Sequence, residues 1–163
     1  MAFAHRYLTW RIILDGNLYV GTSASELLHF VRIPTDPGEN NGQPMFILAS
    51  RLKPAYSESS ATSSASLPGI QQILLLPRVS RGCILCNGTV TFYSLPELSP
   101  VLQVKNCNWI GGVDLNDETR PDGSSVTVLL STYKRIQVVR VGEEARVIRV
   151  GPSKKPSHLS DVG

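Results

Sequence analysis

The apolar positions of this chain fall in short runs of about four to eight residues, rich in β-branched and aromatic side chains and bounded by Gly, Pro, Asn, Asp or Ser. That is the pattern of short strands. No segment places apolar residues at i, i+3, i+4 and i+7 over three capped turns, so helix is expected to be nearly absent. The clearest local signal is Cys83-Ile84-Leu85-Cys86, then Asn87-Gly88, then Thr89-Val90-Thr91-Phe92-Tyr93. Asn-Gly readily takes the positive φ that a two-residue hairpin demands. A second hairpin is predicted to join Leu18 to Thr22 with Glu26 to Ile33 through Ser23-Ala24-Ser25, after the turn Asp15-Gly16-Asn17. A third joins Val126 to Ser131 with Arg135 to Val141.

Side by side, these segments form a repeat of one lead strand, a hairpin and a fourth strand, over residues 7–52, 70–104 and 106–150. In chain order, the second and third hairpins begin at Cys83 and Val126, 43 residues apart, which is the period of a propeller blade of four antiparallel strands. The first interval is longer because residues 53–69 include a Ser-rich stretch with almost nothing to bury, expected to be a mobile loop between blades. Runs such as Ile73-Leu74-Leu75-Leu76 are apolar on both faces and suit a sheet covered on both sides. The expected fold is all-β, a partial β-propeller of about three four-stranded antiparallel blades in an open arc, with a disordered tail over residues 151–163. Such an arc leaves two apolar blade faces and several strand edges without neighbours, so poor solubility is expected of the chain alone.

Length and composition agree with one folded unit: 163 residues, 42% hydrophobic, with 13 Gly and 11 Pro to punctuate strands. A net charge of +3 is too small to imply nucleic acid. No apolar run reaches the ~20 residues needed to cross a bilayer, and residues 1–10 lack the make-up of a signal peptide, so a cytoplasmic location with reduced thiols is expected.

Candidate chemistry is thin. Cys83 and Cys86 have the spacing of a zinc knuckle or redox pair, but three positions apart on a strand they face opposite ways, and Cys107 stands alone. Asn87-Gly88-Thr89 is a glycosylation sequon that turn chemistry explains as well. His29 lies within a strand and lacks a convergent nucleophile and acid; His5 and His158 lie near the two ends. Gly111-Gly112 reads as a bend or bulge, because no helix follows to make a phosphate cradle. Asp114, Asp117 and Glu118 lack calcium-loop spacing. No catalytic, metal or cofactor residue is therefore expected, nor a small-molecule substrate. One charged patch stands out, Lys134, Arg135, Arg140, Arg146 and Arg149 with Lys154 and Lys155, against Glu143 and Glu144. It suits an anionic membrane surface or an acidic partner.

The segments DGNLYVGTSASELLHFVRI (Asp15 to Ile33), GIQQILLLPRVSRGCILCNGTVTFYSLPELSPV (Gly69 to Val101) and NWIGGVDLN (Asn108 to Asn116) together resemble the citron-homology (CNH) propeller. More narrowly, they resemble the fungal branch of the vacuolar-sorting and TGF-beta-receptor-associated subunits of the CORVET and HOPS tethering complexes. The resemblance implies a non-catalytic scaffold peripheral to endosome or vacuole, which contacts a Rab GTPase and other tethering subunits during vesicle tethering and vacuolar protein transport. In that family the propeller has about seven blades and leads into an α-solenoid, so this chain would be part of a larger protein. On this reading the residues that matter are structural: turn formers Gly16, Gly21, Asn87 and Gly88, and blade-core residues Tyr19, Leu28, Phe30, Phe92, Tyr93 and Trp109. Two other readings are a CNH module of a Rho-type exchange factor or kinase, and a small all-β hydrolase.

Overall fold

The computed structural model describes residues 8–36, 38–54, 69–114 and 125–152. The Ser-rich segment, Asp117, Glu118 and the tail from residue 153 lie outside them. Twelve strands account for most of the described chain: β1 (Leu8–Leu14), β2 (Asn17–Thr22), β3 (Leu27–Ile33), β4 (Met45–Leu52), β5 (Ile70–Leu76), β6 (Arg81–Cys86), β7 (Thr89–Ser94), β8 (Pro100–Lys105), β9 (Cys107–Asp114), β10 (Val126–Thr132), β11 (Arg135–Val141) and β12 (Ala145–Pro152). They form three separate four-stranded antiparallel sheets, each a meander in chain order: β1 to β4, β5 to β8 and β9 to β12.

Local sequence explains the meanders. Asp15-Gly16 and Asn87-Gly88 both have positive φ at the two turn positions (47° and 77°, 46° and 76°). They close two-residue hairpins with Leu14 opposite Asn17 and Cys86 opposite Thr89, the backbone twist that right-twisted strands require. The β2–β3 turn uses Ser25 at φ 59°, with the Thr22 N–H donating to the Glu26 carbonyl at 3.0 Å and the Glu26 N–H to Thr22 Oγ1 at 3.1 Å. At the β10–β11 turn the Thr132 hydroxyl donates to the Arg135 carbonyl at 2.9 Å and accepts from its N–H at 3.0 Å. Gly21 is not a turn former: it pairs with Trp10 and Leu27 inside β2, without a left-handed φ.

The sheets stack as blades. The lead strands β1, β5 and β9 contact one another in sequence, and β8 meets β12 at the outer side. One apolar cluster, including Tyr19, Leu27, Ile73, Ile84, Cys86 and Tyr93, joins the first two sheets. A second, including Cys83, Leu85, Val90, Phe92, Val128, Leu130 and Val139, joins the second to the third. The middle sheet is thus covered on both faces, which is why almost every residue of β6 and β7 is buried. Burying one Phe or Leu side chain contributes about 1.5–3 kcal/mol, so these two clusters dominate cohesion of the arc. The expected partial propeller in an open arc is the architecture observed.

Candidate interaction surfaces

The candidate chemical residues disperse. Cys83 lies in the cluster facing the third sheet and Cys86 in the one facing the first, so the strand pleat separates them as the spacing predicts. Burial pushes the Cys83 thiol far up and the Cys107 thiol up to about 11, so neither supplies a thiolate near neutrality. His29 is 5% exposed on β3. Its ring stacks on Tyr19 with centroids 4.8 Å apart and planes 9° from parallel, and its Nε2 shares a 2.7 Å hydrogen bond with Asn17 Oδ1. Its bond goes to an amide and not to a carboxylate or nucleophile, and burial lowers its pKa. Among the described residues no group of three or more His, Cys, Asp or Glu could hold a metal ion, and no helix is long and apolar enough to cross a membrane.

Polar side chains instead tie the sheets together. Gln72 on β5 meets the free edge of β9, accepting from the Ile110 N–H at 2.8 Å and donating to the Ile110 carbonyl at 3.5 Å. Its amide acts like a fragment of a missing strand at the point where Gly111 is extruded as a bulge between Ile110 and Gly112. Arg81 donates to the Glu143 carbonyl of the third sheet at 2.7 Å. Asn87 Nδ2 donates to Ser25 Oγ of the first sheet at 3.2 Å. A Cβ on Gly69, just before β5, would collide with the backbone of Thr22 and Ser23, so the backbone of one blade rests directly on the turn of the next. Sequence reasoning missed Gly69 and Gln72, because neither follows a turn motif and both act between blades.

The outward faces of the first and third sheets are the exposed surfaces. On the first, Ile13, Leu18, Phe30 and Leu48 form one apolar row across all four strands, each directly opposite the next. Ile13 is 62% and Leu48 47% exposed. The adjacent row is Arg11, Val20, Leu28 and Arg51. Leu28 and Phe30 are therefore only half-buried and are not residues of the inter-blade core, because their strand parity turns them from the middle sheet. Tyr19, Phe92 and Tyr93 lie in the core clusters.

On the third sheet, Trp109 pairs with Ser131 and Ser131 with Ile136. Trp109 is 55% exposed and is not a core residue. A bulge at Asn108 reverses the pleat, so Cys107 faces the core and Trp109 faces outward. The basic residues divide into two groups. Lys134 and Arg135 sit at the exposed start of β11, whereas Arg140 and Arg146 face each other across β11 and β12 near the other end, about 15–20 Å away at the rise of a strand. Arg149 stands opposite Val138, and Lys154 and Lys155 lie outside the described residues.

No curated protein sequence matches the chain. Among solved structures it is similar to KlHsv2 with loop 6CD replaced by a Gly-Ser linker, and to Kluyveromyces lactis Hsv2 with complete loop 6CD. Both comparisons have 10% identity and TM-score 0.46 and cover 90% of this chain. The chain spans 40% and 37% of the length of those two proteins. Residues 6–151 match the model of the VPS3 N-terminal domain. That match covers nearly all of the three-sheet unit, and the chain belongs to the VPS3 N-terminal domain family.

Proposed function

We propose that this chain is the non-catalytic, CNH-type interaction module of a CORVET-type tethering subunit, acting in vacuolar protein transport at the endosome or vacuole. Family membership supports the tethering role over an exchange-factor or kinase role. The observation that carries an interaction role is the pair of open sheet faces: Ile13, Leu18, Phe30 and Leu48 beside Arg11 and Arg51 on the first, and on the third an apolar strip of Trp109, Ile136 and Leu129 that ends toward Arg140 and Arg146. An apolar centre with an Arg-rich border is the composition of a protein-binding patch. On this reading the partners are a Rab GTPase and other tethering subunits, with anionic lipid as a secondary contact of the arginines. Turn residues and blade-core residues serve by holding those faces in shape. The dispersed cysteines and the amide-bonded His29 give no support to a hydrolase.

Binding of the purified chain to endosomal and vacuolar Rab GTPases, loaded with GTP analogue or GDP, tests the reading, alongside flotation with neutral and anionic vesicles. Nucleotide-dependent capture that Trp109→Glu and Leu48→Glu weaken is expected. Equal capture of both nucleotide states, or none together with no capture of tethering subunits, overturns it.

A further inference from the structure

Stacking brings one turn of each sheet to a common end of the arc. Asn87 in the β6–β7 turn bonds Ser25 in the β2–β3 turn, and Gly69 at the start of β5 rests on Thr22 and Ser23. The Cys107 N–H, opposite Thr132 at the β10–β11 turn, donates to the Gly88 carbonyl at 2.9 Å. The exposed cations Lys53, Lys105, Lys134 and Arg135 all lie at this end, with Arg51 just inside it. Among the described residues of this end the one carboxylate is Glu26, 4% exposed and 3.9 Å from Arg51. The acids collect at the opposite end: Asp15 in the β1–β2 turn, Asp36 and Glu39 before β4, Glu97 in the β7–β8 turn, and Glu143 and Glu144 in the β11–β12 turn. Arginines such as Arg32 and Arg78 stand among them. A strand of seven residues is about 23 Å long at ~3.3 Å per residue, well beyond the ~8–10 Å screening length of physiological salt, so these acids do not neutralise the basic end. The chain segments outside the described residues that join the basic end carry Arg6, Lys154 and Lys155 against Glu58 and Asp161, and by charge they do not cancel it either.

Tyr133 stands at the apex of the β10–β11 turn beside Lys134 and is 83% exposed, and Trp109, opposite Ser131 on the neighbouring strand, is 55% exposed. Such rings, apolar in body and polar at one end, suit the boundary between hydrocarbon and water. Two further features select an anionic bilayer over an acidic protein. The cations are spread over all three sheets, which at a packing distance of ~10 Å makes a breadth of about 20 Å, the form of a surface that meets many headgroups at once. Lysine supplies Lys53, Lys105 and Lys134, and lysine is depleted in protein–protein interfaces but is attracted to acidic lipid as strongly as arginine.

We propose that the end of the arc formed by the β2–β3, β6–β7 and β10–β11 turns rests on an anionic bilayer surface. Tyr133 enters the headgroup region, and Lys53, Lys105, Lys134 and Arg135 lie against acidic headgroups. The strands then stand upright on the membrane, and the open faces of the first and third sheets remain available to protein partners. The proposal rests on the tethering reading for the presence of a membrane, and it places the principal lipid contact at the strand ends, apart from the arginines of the sheet faces.

Flotation of the purified chain with vesicles of phosphatidylcholine alone, and of phosphatidylcholine mixed with phosphatidylserine, tests the contact. Capture by the mixed vesicles alone is expected, falling as salt rises. Lys105→Glu combined with Lys134→Glu, its far-UV spectrum unchanged, is expected to weaken capture at least about tenfold. The same charge change at the opposite end, Arg32→Glu with Arg78→Glu, is expected to leave capture within about twofold. The three native thiols are buried, so a polarity-sensitive dye can be attached at Tyr133→Cys; its emission is expected to shift to the blue on the mixed vesicles, and the same dye at Glu97→Cys to stay unchanged. Leu48→Glu, which probes Rab capture, is expected to leave flotation intact, so either reading can fail without the other. Equal capture by both vesicles, or by neither, overturns the proposal. So does capture that the two charge-reversed pairs weaken alike, or a dye at Glu97→Cys that shifts as far as one at Tyr133→Cys. Binding of a polyglutamate peptide without capture of vesicles assigns this end to an acidic protein and overturns it as well.

Discussion

Replacing Gly69 with alanine adds one methyl group at the closest approach of two blades. At a position whose backbone alanine can adopt, the usual effect of Gly→Ala is stabilisation by about 0.4–1 kcal/mol through the unfolded chain. The structure reverses that sign. The new methyl would meet the Thr22 carbonyl oxygen, Ser23 Cα and the Ser23 carbonyl carbon, the last at 2.6 Å, about 1 Å inside the ~3.5–4.0 Å of an ordinary carbon contact. All three are backbone atoms. They belong to a turn held by the 3.0 Å Thr22–Glu26, 3.2 Å Ser25–Thr22 and 3.1 Å Glu26–Thr22 Oγ1 hydrogen bonds, so they cannot rotate aside as a side chain could. Relief requires the first two sheets to part by about 1 Å, a gap that forfeits a quarter to a half of the dispersion attraction across their cluster. Overpacking of this kind costs about 1–3 kcal/mol, occasionally more. A loss of about 3 kcal/mol lowers Tm by roughly 6–12 °C for a chain of this size, measured by thermal unfolding followed by circular dichroism. Gly82→Ala is the control: its methyl meets the mobile ends of Leu95 and Leu75 at 3.4 and 3.5 Å, and a change within about 1 kcal/mol is expected. A Gly69→Ala variant that melts within about 2 °C of the parent, or above it, would refute the close approach.

Three further outcomes are expected. Gln72→Leu leaves the edge N–H of Ile110 without its 2.8 Å partner and should cost about 1–3 kcal/mol, read by chemical denaturation; a variant as stable as the parent would show that this tie contributes nothing. Burial lowers the His29 pKa below its ordinary value of 6.5, so the unfolded chain binds the proton more readily. Stability from neutral His29 is complete above pH 6.5 and falls as pH drops toward the lowered folded value, and His29→Gln should flatten that slope in unfolding titrations at pH 5–7. The thiols of Cys83, Cys86 and Cys107 are all buried and all shifted upward; a disulfide reagent at pH 8 should therefore label them only on unfolding, and rapid labelling of the native chain would contradict the packing.

What the sequence determined by itself is local. The Asp15-Gly16 and Asn87-Gly88 turns, the register of the hairpins they close, and the opposite facing of Cys83 and Cys86 follow from backbone sterics and the two-residue period of a strand, which act between near neighbours. The 43-residue interval likewise exposed the repeat, because each blade is built from contiguous chain. Only the tertiary structure decided which faces are covered. Trp109 looked like core and is exposed, because one extra residue at Asn108 reverses the pleat. Leu28 and Phe30 looked like core and face outward, because burial depends on where the next sheet stands. Gly69 and Gln72 lie in unremarkable sequence, yet they set the contacts between blades, which join residues 38 to 47 positions apart. Such contacts leave no short-range pattern, since they are selected by the fit of two surfaces that meet only after each has folded.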